Sequence, residues 1–483
     1  MRQYINRSWL IPFAVFIIAL LLRLIPLLYQ PFDGLYGQDA YAYFDFAAAI
    51  RNMLLTGESP GTFFWGLGYP TMLAGLFIVS GGASAGNAQA ASILMGAAIP
   101  AIISVIALKL SLRPIGALTA GLILAACGQA IQSSLVVMAD IPALFWSVCA
   151  ALLLLIYSES RKPLPLIACA LCLTMAILSR WLYGVLLLPF FGYWLALRQP
   201  FRHLIYALAA ASILVLPQAI FSLNNPFPVF NHAWVTGWTP INAVAQDFIN
   251  VDGEFHYAQP NFLFYSAPLI DPYYFAPALL PFTLLGIFSL RRRNSLFWYG
   301  WLLLPLIFLI GIPYQNIRFP LIAMPAVALL TGAGISKIFS VFKGSRLYPV
   351  RGVLTCAAVC LALVWVIQAA EPTIDAFLQI QDESKQSALW ASRIANPDAT
   401  IYAFGITLTL EHYANQQVEE LYYFTPEQLE AQIQPGDYLL VNVWQLENQW
   451  AGQPVYDSFN YLRYNRGLYQ IGRHGLYTLY VIR

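Results

Sequence analysis

PFDGLYGQDAYAYFDFAAAIRNMLLTG, Pro31 to Gly57, is a polar stretch set between two apolar ones. Asp33, Asp39 and Asp45 follow directly on the hydrophobic run Trp9 to Tyr29, in a chain with only 10% charged residues. Three carboxylates in that setting call for an explanation, and a catalytic base is one. Pro31, Gly34 and Gly37 make the first half a loop. Ala40 to Leu55 contains neither Gly nor Pro and has the pattern of an amphipathic helix. Asp39 therefore stands at a loop-to-helix junction.

Outward from this stretch, composition sets the class. Hydrophobic residues make up 59% of 483 positions, with a mean hydropathy of +0.64, against roughly 45–50% apolar residues in a soluble domain. This is a polytopic α-helical membrane protein. A net charge of +2 does not point to nucleic acid, which leaves lipids and small molecules as partners. All six cysteines fall inside apolar runs, so neither disulfides nor a redox role for Cys169-x-x-Cys172 is expected. The first span lacks a cleavage site after it and reads as a retained helix.

A crossing helix needs about 20 apolar residues. Candidates lie at 9–29, 68–81, 87–108, 113–132, 137–157, 163–179, 181–197, 203–222, 274–290, 296–312, 319–341 and 351–369. Basic residues at Arg2/Arg7, Lys109/Arg113, Arg161/Lys162, Arg198/Arg202, Arg291 to Arg293 and Lys337 to Arg351 belong on the cytoplasmic side. That pattern is met if 68–81, short and ending in Gly81-Gly82, lies along the outer surface. About eleven crossings then remain, with the N-terminus cytoplasmic and the C-terminus extracytoplasmic. Residues 1–370 form the transmembrane domain, with outer loops 30–86 and 223–273. Residues 371–483, where charge returns, form an extracytoplasmic α/β domain. Its expected elements are a helix at 384–394, a strand at 400–404, a helix at 425–434, a strand at 437–443 and a last strand at 475–482. This tail is expected to pack over the outer loops without a catalytic group of its own.

The same topology gathers isolated charges at the outer face. Asp39 is either the N-cap of the helix after it or a base, and a helix N-terminus favours the anionic form that a base requires. Asp33 is either a turn residue or a substrate contact. Asp45 faces water. Asp140, in VVMADIPALF, is either an N-cap or a functional carboxylate at the edge of an apolar run. Arg180 and Arg318 contradict the basic-inside pattern, as does Arg51; a guanidinium kept outside suits an anion such as phosphate, and snorkelling is the alternative. Arg23, inside the first span, reads as paired or snorkelling and not as catalytic. His232, Asp252 and His256 show no recurring ligand spacing, so no metal site and no cofactor are expected.

Gln38-Asp39-Ala40-Tyr41-Ala42-Tyr43, Gly68-Tyr69-Pro70, Ala139-Asp140-Ile141-Pro142 and Arg318-Phe319-Pro320, with the helical architecture and the α/β tail, resemble the GT-C glycosyltransferases. The protein O-mannosyltransferases and the aminoarabinose transferases that modify lipid A are the most similar groups. Members commonly carry Asp-Glu where this chain has Asp39-Ala40, and Lys near Arg180. The resemblance implies a prokaryotic cell-membrane enzyme that moves a sugar from a polyprenyl-phosphate donor to an extracytoplasmic acceptor by an inverting displacement. Asp39 or Asp140 would then be catalytic, and Asp33, Arg180 and Arg318 would bind substrate. A secondary transporter or lipid flippase is the alternative, and would place its polar groups near the bilayer midplane.

Overall fold

A computed structural model describes residues 9–224, 236–250, 253–290, 292–341 and 348–483. Seven helices are long and apolar enough to cross a membrane, or eight if one bent pair counts as a single span. Four shorter apolar helices accompany them at Gly68–Val79, Pro163–Ser179, Trp181–Leu197 and Pro277–Ile287. Each apolar run of the sequence is therefore helical, and the short outer candidate is the Gly68–Val79 helix.

Two expectations require correction. The run 113–132 is not one straight helix: Pro114–Ala126 and Gly128–Ser134 meet at 59°. The break is built by close packing at Gly128, whose N–H donates to the Tyr273 carbonyl at 2.8 Å. A Cβ there would come within 2.6 Å of the Tyr273 ring and 2.7 Å of Ala370. Nor does the helix that holds the last candidate span end near residue 369. Tyr348–Ile394 is one helix of 47 residues with Pro372 inside it, so the change in composition at Glu371 falls within a helix and the expected 384–394 helix is its final part.

The helix hairpins alternate direction, which fixes the two ends of the bundle. Asp140–Ser160 runs one way, and Pro163–Ser179 returns after a connection of two residues, Arg161 and Lys162. Pro163 occupies the first helical turn, where its missing N–H costs nothing. Asp140 and Arg180 are thereby at one end, and Arg161 and Lys162 at the other.

The tail holds a mixed five-stranded sheet in the order β4-β3-β5-β7-β6, with β3 Thr400–Phe404, β4 Gln417–Glu420, β5 Tyr438–Val441, β6 Leu468–His474 and β7 Tyr477–Ile482. β3 pairs in parallel with β4 and β5, while β7 runs antiparallel to β5 and β6. The expected strand 400–404 is β3. The expected helix after Thr425 is Pro426–Gln432, opened by a capping box of Thr425 and Gln428, which satisfies two otherwise orphaned backbone donors. β1 Asp247–Asn250 and β2 Gly253–His256 form a separate hairpin in the connection expected to be the second outer loop.

The tail packs on the first polar loop. Phe377 meets the rings of Phe32 and Tyr36 edge-on at 6.0 and 5.1 Å. Gln38 joins both sides: its Oε1 accepts from Leu408 N–H at 3.1 Å, and its Nε2 donates to Glu420 Oε2 at 3.1 Å.

Candidate active site

Four charged side chains from four separate elements converge where the first polar loop meets the bundle. Asp140 is the first residue of its helix and Asp39 the first of Asp39–Thr56. Neither is the N-cap. Those positions belong to Ala139 and Gln38, and no side-chain cap bond is made. Both carboxylates are thus released from capping, while the first-turn position still favours negative charge.

Arg180 ends the Pro163–Ser179 helix with extended backbone. Its Nε lies 3.0 Å from Asp140 Oδ1, and its guanidinium covers the Phe319 ring at 5.0 Å. Arg318 precedes the short helix Phe319–Ala323. Its Nη1 lies 3.5 Å from Asp140 Oδ2 and its Nη2 lies 3.6 Å from Asp39 Oδ2. The Arg318 backbone N–H and Nε both donate to Asn316 Oδ1, at 2.9 and 3.2 Å, while Nη1 reaches Tyr36 Oη at 3.4 Å and Met138 Sδ at 2.8 Å.

Exposure separates the two carboxylates. The Asp140 side chain is 6% exposed and lies between two guanidiniums; that of Asp39 is 38% exposed and touches one. The ion pairs are close but not aligned. Asp140 Oδ2 and Arg180 Nε are buried without a directed hydrogen bond, so charge is balanced while hydrogen-bonding capacity is left over. Two carboxylates and two guanidiniums with spare donors can accept an anion and deprotonate a hydroxyl at adjacent points.

Asp33 does not join this group. Lys385 Nζ lies 2.9 Å from Asp33 Oδ2, and Tyr413 Oη donates to the same oxygen at 2.6 Å. Burial pushes the Asp33 carboxyl up, but the bonds from Lys385 and Tyr413 and the Lys385 charge outweigh it and hold the group below the usual carboxylate value. Asp45 is on the water-facing side of its helix. Arg51 is half-buried and donates to the Gly81 carbonyl at 3.3 Å. Arg23 is buried in its span, with Nε on Ser134 Oγ and Nη1 on the Ala19 carbonyl, both at 2.9 Å. His256 pairs with Asp247 at 2.8 Å and Glu254 at 3.6 Å; His232 and Asp252 lie outside the described residues. Among the described residues no group of three or more His, Cys, Asp and Glu converges as a metal site.

Sequence reasoning missed Tyr36, Met138 and Asn316, which hold Arg318. It also missed the part played by glycine at 66 and 68. A Cβ on Gly66 would lie 2.1 Å from the Leu178 carbonyl oxygen, and one on Gly68 would lie 2.7 Å from the Leu178 and Ser179 backbone. The segment before Tyr69 therefore rests directly on the backbone that leads into Arg180. Gly-x-Gly at 66–68 was the available signal, since close backbone approach is a use for which glycine is suited.

Residues 49–223 match the family described as dolichyl-phosphate-mannose-protein mannosyltransferase, a range that includes Asp140 and Arg180. Among solved structures the chain is similar to ArnT from Cupriavidus metallidurans bound to undecaprenyl phosphate, at 14% identity and a TM-score of 0.65, covering 98% of each chain. The apo state of the same protein gives 15% and 0.63, covering 97% of each. AglB from Archaeoglobus fulgidus, an archaeal oligosaccharyltransferase solved with an inhibitory peptide and a dolichol-phosphate, gives 13% and 0.57, covering 98% of this chain and 74% of that one. No curated protein matches by sequence. The fold is of the GT-C type, and the resemblance read in the sequence is met by both the family match and the fold.

Proposed function

We propose that this protein is a membrane glycosyltransferase that takes a sugar from a polyprenyl-phosphate donor and passes it to an extracytoplasmic acceptor by an inverting single displacement. The observation that carries this reading is the convergence of Asp39, Asp140, Arg180 and Arg318 at one end of a GT-C bundle. The lipids held by the similar structures, undecaprenyl phosphate in ArnT and a dolichol-phosphate in AglB, support a lipid-phosphate donor.

The acceptor hydroxyl oxygen attacks the anomeric carbon while Asp39 takes its proton. The bond from that carbon to the phosphate oxygen breaks, and its electron pair leaves with the lipid phosphate. Arg180 and Arg318 receive the charge that develops there. No general acid is needed, because phosphate departs as a stable anion, unlike the alcohol that a glycosidase must protonate. Asp39 is assigned the proton because its carboxylate is the open one. Asp140, enclosed by both guanidiniums, is assigned to holding them in place. Asp33 belongs to the contact between loop and tail.

Of the alternatives, a transporter is disfavoured because the charges gather at a helix-terminal end of the bundle, next to the tail. The distribution of basic residues supports a cytoplasmic N-terminus and an extracytoplasmic tail, and the family resemblance supports a prokaryotic cell membrane. Purified protein given a panel of radiolabelled polyprenyl-phosphate sugars with protein, lipid and glycan acceptors tests the proposal. Transfer to one acceptor class, with inversion at the anomeric carbon, is expected. Facilitated movement of the intact lipid between leaflets without transfer would overturn it.

A further inference from the structure

The end of the bundle remote from Asp140 carries a second charged site of one sign. Asp140–Ser160 has 21 residues, which at about 1.5 Å per residue places its far end about 30 Å from the proposed active site. There the connection Arg161-Lys162 meets the connection Arg198-Gln199-Pro200 around a cavity of about 710 Å³, lined also by Arg202 and the buried His203. His203 is fixed from below, its Nδ1 3.1 Å from the Tyr157 hydroxyl. Arg161, Lys162, Arg198 and Arg202 are exposed, and among the described residues none makes a salt bridge; nearby Glu159 is taken by Lys109 at 2.7 Å. Arg161 and Arg198 also hold φ of 55° and 50°, the left-handed region that, where a helix ends in it, is usually filled by glycine.

A bias toward cytoplasmic basic residues accounts for the charge but not for its arrangement around a cavity. A second cavity adjoins the first. Ala196 lines one and Leu197 the other. The second is a cleft of about 290 Å³ between the Leu187–Leu197 and Arg292–Gly311 helices, with Arg293 among its lining residues. Leu188 and Leu296 on its walls are each 62% exposed, so it opens toward the bilayer. Gly192 lines it as well, and a Cβ there would meet nothing within 4 Å. A basic pocket beside an apolar, bilayer-facing cleft has the two halves that a phospholipid presents.

We propose that this end of the bundle binds one anionic glycerophospholipid, its phosphate among Arg161, Arg198 and Arg202 and an acyl chain in the cleft along Gly192. The ligand is a lipid and not a free phosphate because the cleft is built of apolar side chains facing the membrane. Attraction of basic groups to anionic lipids of the cytoplasmic leaflet supplies the driving force. The site is independent of the glycosyltransferase reading.

The test uses the full-length protein in nanodiscs of dioleoylphosphatidylcholine, titrated with dioleoylphosphatidylglycerol, with retained lipid counted by native mass spectrometry. One phosphatidylglycerol is expected to remain bound in preference to phosphatidylcholine. The R161Q/R198Q double variant should weaken that retention about 10-fold or more, as expected for lost charge-assisted contacts. K337Q, which removes an exposed cation at the same end, should leave it unchanged. G192F, whose ring enters open space, should weaken it as well. Glycerol 3-phosphate added to the wild-type protein should not displace the lipid. Equal losses in K337Q and R161Q/R198Q would reduce the effect to general basicity and overturn the site. Displacement by glycerol 3-phosphate at concentrations matching the lipid would overturn the lipid assignment, and this arm needs no variant. Undiminished retention in both R161Q/R198Q and G192F would overturn the proposal altogether.

Discussion

Asp140 Oδ1 lies 3.0 Å from Arg180 Nε, and the same carboxylate's other oxygen lies 3.5 Å from Arg318. One buried carboxylate thus ties together two guanidiniums from helices far apart in the chain. Asp39, with one contact at 3.6 Å, remains open to a reactant. The two acidic residues therefore differ in what their loss should do.

Asp39→Asn keeps most of the side-chain volume and removes the proton acceptor. Turnover is expected to fall by roughly 10²- to 10⁴-fold, the usual worth of general-base assistance, with donor affinity and melting temperature close to wild type. Asp140→Asn should instead weaken donor binding and lower the melting temperature, because two guanidiniums lose their shared counter-charge. Single-turnover kinetics and donor titration on both variants separate the roles. Normal turnover in Asp39→Asn with a dead but stable Asp140→Asn would move the base to Asp140.

Arg318→Ala removes a group that spans both carboxylates. Loss of a charge-assisted contact typically costs about 1.5–3 kcal/mol, so donor handling should weaken by roughly 10- to 150-fold. Arg318→Lys restores the charge but not the planar fork held by Asn316 and Tyr36, and should recover only part of the loss. Unchanged kinetics in a folded Arg318→Ala protein would remove Arg318 from donor binding and leave it a structural partner of the two carboxylates.

Asp33 holds the tail through Lys385 and Tyr413, with its carboxyl below the usual range. A depressed folded-state value stabilises the folded form above the unfolded carboxyl value of about 4, and that contribution is lost as pH falls through the lower folded value. Protection of the tail against limited proteolysis should accordingly weaken on acidification below about pH 4. Asp33→Asn should be weakened already at neutral pH and lose this component of the pH response. An identical acid profile in wild type and variant would remove Asp33 from the tail contact.

Gly66→Ala would bring a methyl group against the Leu178 carbonyl, so the loop or the backbone before Arg180 must shift. A destabilisation of about 1–3 kcal/mol, the usual cost of overpacking, is expected in thermal unfolding, together with weaker donor binding. Gly75→Ala, inside the Gly68–Val79 helix where a Cβ meets nothing within 4 Å, is the control and should not destabilise, since alanine favours helix over glycine.

Class and helix positions were determined by the sequence alone, because apolar length is a local property: each apolar run became a helix, and Thr400–Phe404 became a strand where one is expected. Asp39, Asp140, Arg180 and Arg318 also stood out locally, since an isolated charge beside an apolar run needs a reason. Which charges meet was decided by tertiary structure. Asp33 and Asp39 are six positions apart in the chain, yet one pairs with Lys385 of the tail and the other with Arg318. The cap reading of Asp39 and Asp140 failed on backbone position: the helices begin on these residues, Gln38 and Ala139 hold the cap positions, and no side-chain cap bond is made. The bend at Cys127 and the unbroken helix through Glu371 were equally beyond local pattern, the first resting on Tyr273 and Ala370 against Gly128. Hydropathy and propensity act over a few turns of chain, whereas an ion pair acts over a few ångströms of space, and only the packed bundle relates the two.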